Sequence, residues 1–178
     1  MSMFPIASIT ITSNGTNPTF TSIPQNFKHL QLRCYMRAAG ATNYQYVYFR
    51  FNGDTGGNYN YHYVNGNGSS VVASGGAPSS GYGLIGYSAS NNNTTNAFST
   101  VIIDILDYTS TTKNKTLKAL NGMDINGSGS NTGLWSALWL PSTIAAITQI
   151  DTGPDSYGCL AGSRFDLYGI NTSSATGA

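Results

Sequence analysis

Alternation of apolar and polar residues with a period of two runs along most of the chain, and it predicts strands. In residues 30–37 one face carries Leu30, Leu32, Cys34 and Met36 while the other carries Gln31, Arg33, Tyr35 and Arg37, the pattern of a half-buried strand. Residues 44–51 repeat it, with Val47, Phe49 and Phe51 set against Tyr46, Tyr48 and Arg50. The turn signal Asn52-Gly53-Asp54 then stands ahead of 59–64, which predicts a hairpin with a loop longer than two residues. Further strands are expected near 6–12, 20–23, 70–73, 97–106, 115–122, 133–140, 144–150 and 164–170. Stretches rich in Gly, Ser and Asn near 65–83, 88–96 and 124–132 read as loops inside one domain, residues 1–178. The expected fold class is all-β: a single β-sandwich of eight or more antiparallel strands, of jelly-roll type.

Two of these strands do not fit a half-solvated sheet. In 101–106 Val101, Ile103 and Ile105 oppose Ile102, Asp104 and Leu106, and in 133–140 Trp135, Ala137 and Trp139 oppose Leu134, Leu138 and Leu140. A two-layer sandwich buries one face of each sheet, so the surplus face needs a covering loop or another subunit. Ile102, Asp104, Leu106, Trp135 and Trp139 are the candidate subunit-interface residues. If the face holding Asp104 is buried, its carboxylate needs Arg, Lys or backbone N–H partners, and Asp104→Ala should cost about 2 kcal/mol or more.

Composition narrows the reading. Of 178 residues 40% are hydrophobic and 8% charged, with a net charge of +1, the opposite of a disordered chain. Lys and Arg are scattered singly, which leaves no basic stripe for phosphates, so nucleic acid is not an expected partner. All seven acids are Asp, and with no Glu and much Thr, Ser, Asn and Tyr the chain lacks the material of helix surfaces. No apolar run approaches a membrane span and the first residues carry no basic leader, so neither membrane nor export is expected. Cys34 and Cys159 sit in apolar strand contexts that suit buried thiols, although the two could pair.

Catalytic constellations are scarce. The two histidines, His29 and His62, fall in no HExxH arrangement, and there is no Cys-x-x-Cys, nucleophile elbow or P-loop. An enzyme is not expected, and no cofactor or metal is assigned. Asp-containing loops at 54–58 and 151–155 offer oxygen ligands but lack the calcium-loop spacing, and Asp, Gly and Asn are ordinary turn formers. Asn-x-Ser/Thr triplets, among them those beginning at Asn14, Asn67, Asn93, Asn114, Asn126 and Asn171, read as chance in so Asn- and Thr-rich a chain. Tyr59, Tyr61, His62 and Tyr63, beside Gly- and Asn-rich loops, form a candidate partner or receptor surface. A host glycan is the less favoured occupant, because Tyr is also a standard residue of protein interfaces.

Four segments carry a resemblance: Phe20-Thr-Ser-Ile-Pro-Gln-Asn-Phe-Lys-His-Leu-Gln-Leu-Arg33; Phe51-Asn-Gly-Asp-Thr-Gly-Gly-Asn-Tyr59 with His62; Ile103-Asp-Ile-Leu-Asp-Tyr108 followed by Lys113-Asn-Lys-Thr116; and Ala161-Gly-Ser-Arg-Phe-Asp-Leu-Tyr-Gly-Ile170. In this order they resemble small virion proteins of tailed bacteriophages, found as capsid decoration (cement) proteins or as domains of tail fibres. The resemblance covers most of the chain and brings no catalytic residue with it. It implies a structural role on the capsid surface of the virion after synthesis in the host cytoplasm. The partners it implies are copies of the chain, as a homotrimer, and the phage major capsid protein. A fibre tip ordinarily needs a stalk or adaptor, and strand-like sequence here begins close to Met1 and ends soon after Ile170, which favours head decoration. A tail-fibre tip and a lectin-like module are the alternatives.

Overall fold

A computed structural model describes residues 2–76, 81–125 and 130–171. The middles of two expected loops (77–80 and 126–129) lie outside the described residues, as do Asn126 with its triplet and the last two residues of the Asn171 triplet. Among the described residues twelve strands follow in the order β1 (Ser2–Thr10), β2 (Thr19–Phe20), β3 (His29–Met36), β4 (Tyr44–Phe51), β5 (Tyr59–Gly66), β6 (Val71–Gly76), β7 (Gly83–Ala89), β8 (Ser99–Ile105), β9 (Lys115–Met123), β10 (Asn131–Trp139), β11 (Ile150–Pro154) and β12 (Arg164–Asn171). Eight pair in the order β1-β12-β3-β8-β9-β10-β5-β6 and four in the order β2-β11-β4-β7, and every ladder is antiparallel. The fold is an all-β sandwich. Its division into eight and four strands differs from the simple eight-strand, double-sheet jelly roll.

The inward face of each alternating strand makes the core. Leu30, Leu32, Cys34 and Met36 of β3, Val101, Ile103 and Ile105 of β8, and Val47, Phe49 and Phe51 of β4 are all buried in one cluster. Each such side chain contributes roughly 1.5–3 kcal/mol by leaving water. Rings lock the sheets together: Phe51 meets Trp139 edge-on at 5.7 Å and Phe49 meets Tyr59 at 5.4 Å. Cys34 and Cys159 are both buried, separate thiols. Burial pushes both thiols above their ordinary range, that of Cys159 to about 12, so neither carries a reactive thiolate at neutral pH.

Three expectations change. The segments expected to form a hairpin, β4 and β5, lie in different sheets. Phe51 to Asp54 does make a tight turn, with Asn52 and Gly53 at φ of 52° and 66° and the Asp54 N–H donating to the Phe51 carbonyl at 2.9 Å. Both edges of β4 are already occupied, however, by β11 and β7, so β5 crosses to the larger sheet. Residues 144–149 are not a strand. Ile147 plugs the core, and Asn52 Oδ1 accepts the N–H groups of Thr148 and Gln149 at 2.9 and 3.1 Å, so their donors are satisfied without a ladder. The stretch 65–83 holds β6 and the first residue of an unexpected strand, β7. Its glycines hid the alternation, and at Gly83 the reason for one is space: a Cβ there would stand 2.2 Å from Cε1 of Phe49.

Candidate interaction surface

Strand register sorts the outer face of the eight-stranded sheet into cross-strand rows. Ile102 of β8 lies opposite Leu120 of β9, Leu120 opposite Leu134 of β10, and Leu134 opposite Val64 of β5. Directly opposite residues of an antiparallel pair share a face, so these four stand side by side. They are 37%, 55%, 47% and 43% exposed, respectively. At about 4.8 Å between strands the row runs roughly 14 Å, and exposed Ala73 of the edge strand β6, opposite Val64, continues it, with exposed Val71 two residues along the same face. An uninterrupted apolar band of this kind is unusual on a surface without a partner.

Polar rows border it. On one side stand Thr100, Gly122 and Thr132, and on the other Asp104, Lys118, Ser136 and His62. Asp104 accepts from Gln31 Nε2 at 2.8 Å and pairs with Lys118 Nζ at 3.2 Å, with its side chain 34% exposed. A groove of about 360 Å³ beside this pair is lined by Met3, Gln31, Leu106 and Ile170 among others. At the far end of the apolar row Arg33 lies opposite both Ile102 and Asp166. Arg164 holds Asp166 at 2.9 Å, which keeps that carboxyl below its ordinary value.

The expected site residues divide between two faces. Ile102, Asp104 and Leu106 lie on the outer face, as an interface requires. Trp135 and Trp139 do not: both are buried between the sheets, Trp135 stacked on Tyr63 at 4.3 Å. The reason is parity. On β10 the indoles point toward the smaller sheet, and Leu134 takes the opposite face. Tyr59 is likewise buried, its hydroxyl donating to the Asp54 carbonyl at 3.0 Å, so it offers no receptor surface. Tyr61 and Tyr63 are half-buried and share its inward parity, while His62 alone of the four is exposed on the outer face, opposite Ser136. Leu120 and Val64 were missed. Alternation places Leu120 on the solvent side of β9, but a lone exposed leucine carries no meaning until pairing brings three more beside it. Set against family models, curated proteins and solved structures, the chain matches none of them.

Proposed function

We propose that the protein is a structural virion component, a capsid decoration subunit of a tailed bacteriophage that associates with copies of itself as a trimer and stabilises the head. The observation that carries self-association is the exposed row Ile102–Leu120–Leu134–Val64. A second copy is the favoured cover because the carboxylates near the row are neutralised within the chain, Asp104 by Lys118 and Asp166 by Arg164, and Arg33, at the end of the row, lies beside Asp166. Two such faces meet without like-charge repulsion and need no oppositely charged partner. The virion setting and the trimer number rest on the resemblance of the four segments.

A subunit that binds the assembled shell and not its dissociated proteins raises the shell's resistance to heat and internal pressure by mass action. Repetition over symmetry-related sites adds avidity, so each contact is modest. With so few charges, attachment rests on apolar and hydrogen-bonded contacts and survives about 1 M salt, where screening reaches down to roughly 3 Å. The test is to locate the protein on intact particles by labelled electron microscopy and to compare particles lacking it. The reading expects label on the head and genome loss at lower temperature from the deficient particles. Label at the tail, or deficient particles of full robustness that fail to adsorb, overturns it in favour of a fibre tip.

A further inference from the structure

A second surface feature lies on the opposite side of β5 from the apolar row. A cleft of about 220 Å³ opens between β5 and the ends of β4, β7 and β10, and Tyr44, Tyr63, Asn65, Tyr87 and Asn131 line it. Asn65 is only 6% exposed, yet its Oδ1 has no hydrogen-bond partner; Oδ1 of Asn131 and Nε1 of Trp135, just behind, are also buried and unpartnered. A buried carbonyl or indole N–H without a partner is costly, and a cluster of them calls for an explanation. The glycine opposite Asn65, Gly133, is what admits the amide: a Cβ there would stand 1.9 Å from Asn65 Oδ1.

The chemistry around these orphan groups is selective. Tyr63 stacks on Trp135, Tyr87 meets Trp135 edge-on at 5.4 Å, and Tyr44 meets Tyr87 edge-on at 5.1 Å, so the aromatic walls are braced before any ligand arrives. Neither an acid nor a base lines the cleft among the described residues, which disfavours phosphates, nucleotides and charged peptides. A volume below the roughly 300 Å³ of the smallest drug-sized pockets suits one small ring. We propose that this cleft binds the terminal pyranose of a neutral glycan. The sugar's C–H face lies on a tyrosine ring and its hydroxyls meet the side-chain amides of Asn65 and Asn131 that line the cleft, while Trp135, buried behind them, senses occupancy through Tyr63, on which it stacks. This proposal is independent of the assembly reading, since the outer apolar row and the cleft occupy opposite faces of β5.

The two indoles make the test local. Trp139 Nε1 already donates to Asp54 at 2.7 Å, so its N–H resonance is an internal control for that of Trp135. Titration of the full chain with methyl glycosides of glucose, galactose, mannose, rhamnose and N-acetylglucosamine should move the Trp135 indole signal saturably, in the millimolar range, for at least one sugar. Asn65→Leu, which removes the carbonyl at similar volume, and Tyr44→Ala, at an exposed ring, should each weaken binding by about tenfold or more; the latter covers the case in which the former misfolds. Absence of a saturable shift with every glycoside overturns the proposal. So does unchanged affinity in both variants, or an ordered water that occupies the amide cluster and persists in sugar-soaked crystals.

Discussion

Trp139 Nε1 donates a 2.7 Å hydrogen bond to Oδ2 of Asp54, tying the end of β10 in the larger sheet to the turn by which the chain leaves β4 in the smaller one. The same carboxylate accepts from the Gly56 N–H at 2.8 Å and from Asn58 Nδ2 at 2.9 Å. Asp54→Ala leaves the indole donor buried without a partner and frees the crossover turn. The expected loss is about 2 kcal/mol, from the usual value of a hydrogen bond to a charged group, read by urea denaturation. Asp54→Asn should lose less, because its carbonyl oxygen still accepts.

Acid should weaken the fold through particular carboxylates. Burial of Asp54 works against its ionisation, but the donors Asn58, Trp139 and Gly56 outweigh it and hold its carboxyl below the ordinary value. Lys28 and Lys113 do the same for Asp107, and Arg164 and Ser8 for Asp166. A carboxyl whose folded value is depressed contributes stability above its unfolded value, about pH 4, and loses it as pH falls through the folded one. Asp155, raised by burial, works in the opposite direction. The melting temperature should therefore fall steeply below about pH 4. Replacing Asp54 by Asn should flatten that fall, and an unchanged slope would remove Asp54 from the account.

The loss expected at Asp104 depends on whether the face it shares with Ile102 and Leu106 is buried; the side chain is partly solvated, and its partners, Gln31 and Lys118, come from the two neighbouring strands. Exposed pairs of this kind contribute little. Asp104→Ala is expected to cost about 0.5–1 kcal/mol of monomer stability, below the 2 kcal/mol or so that a buried carboxylate would lose. Chemical denaturation at low protein concentration, where association does not add to the reading, decides between them.

Charge placed in the apolar row should act on association and not on folding. Leu120→Lys and Leu134→Lys are expected to shift light scattering of the purified chain toward monomer, with folded stability changed by no more than about 0.5 kcal/mol, as for ordinary surface substitutions. Trp135→Ala, one residue away on β10, should cost about 3–5 kcal/mol through the cavity it leaves in the core. A wild-type chain that is monomeric at micromolar concentration would remove the argument for the row.

The alternation along single strands was enough to read the all-β class, the near-absence of helix-forming chemistry, and the inward faces of β3, β4 and β8. These are local properties: period-two patterning sets one face of a strand against the other whatever its neighbours. Which strands pair is a different matter. The Asn52-Gly53 turn reads the same whether its arms form a hairpin or part between two sheets, and the parting follows from β11 and β7 occupying both edges of β4. For the same reason Trp135 and Trp139 were assigned to the wrong face of β10. Both of its faces are apolar, and only the position of the second sheet says which of them meets solvent. The row of Ile102, Leu120, Leu134 and Val64 draws on four strands, and the cluster of Asn65, Asn131 and Trp135 on two, β5 and β10, that are far apart in sequence. Their neighbours come from register, a property of paired strands that no single segment encodes.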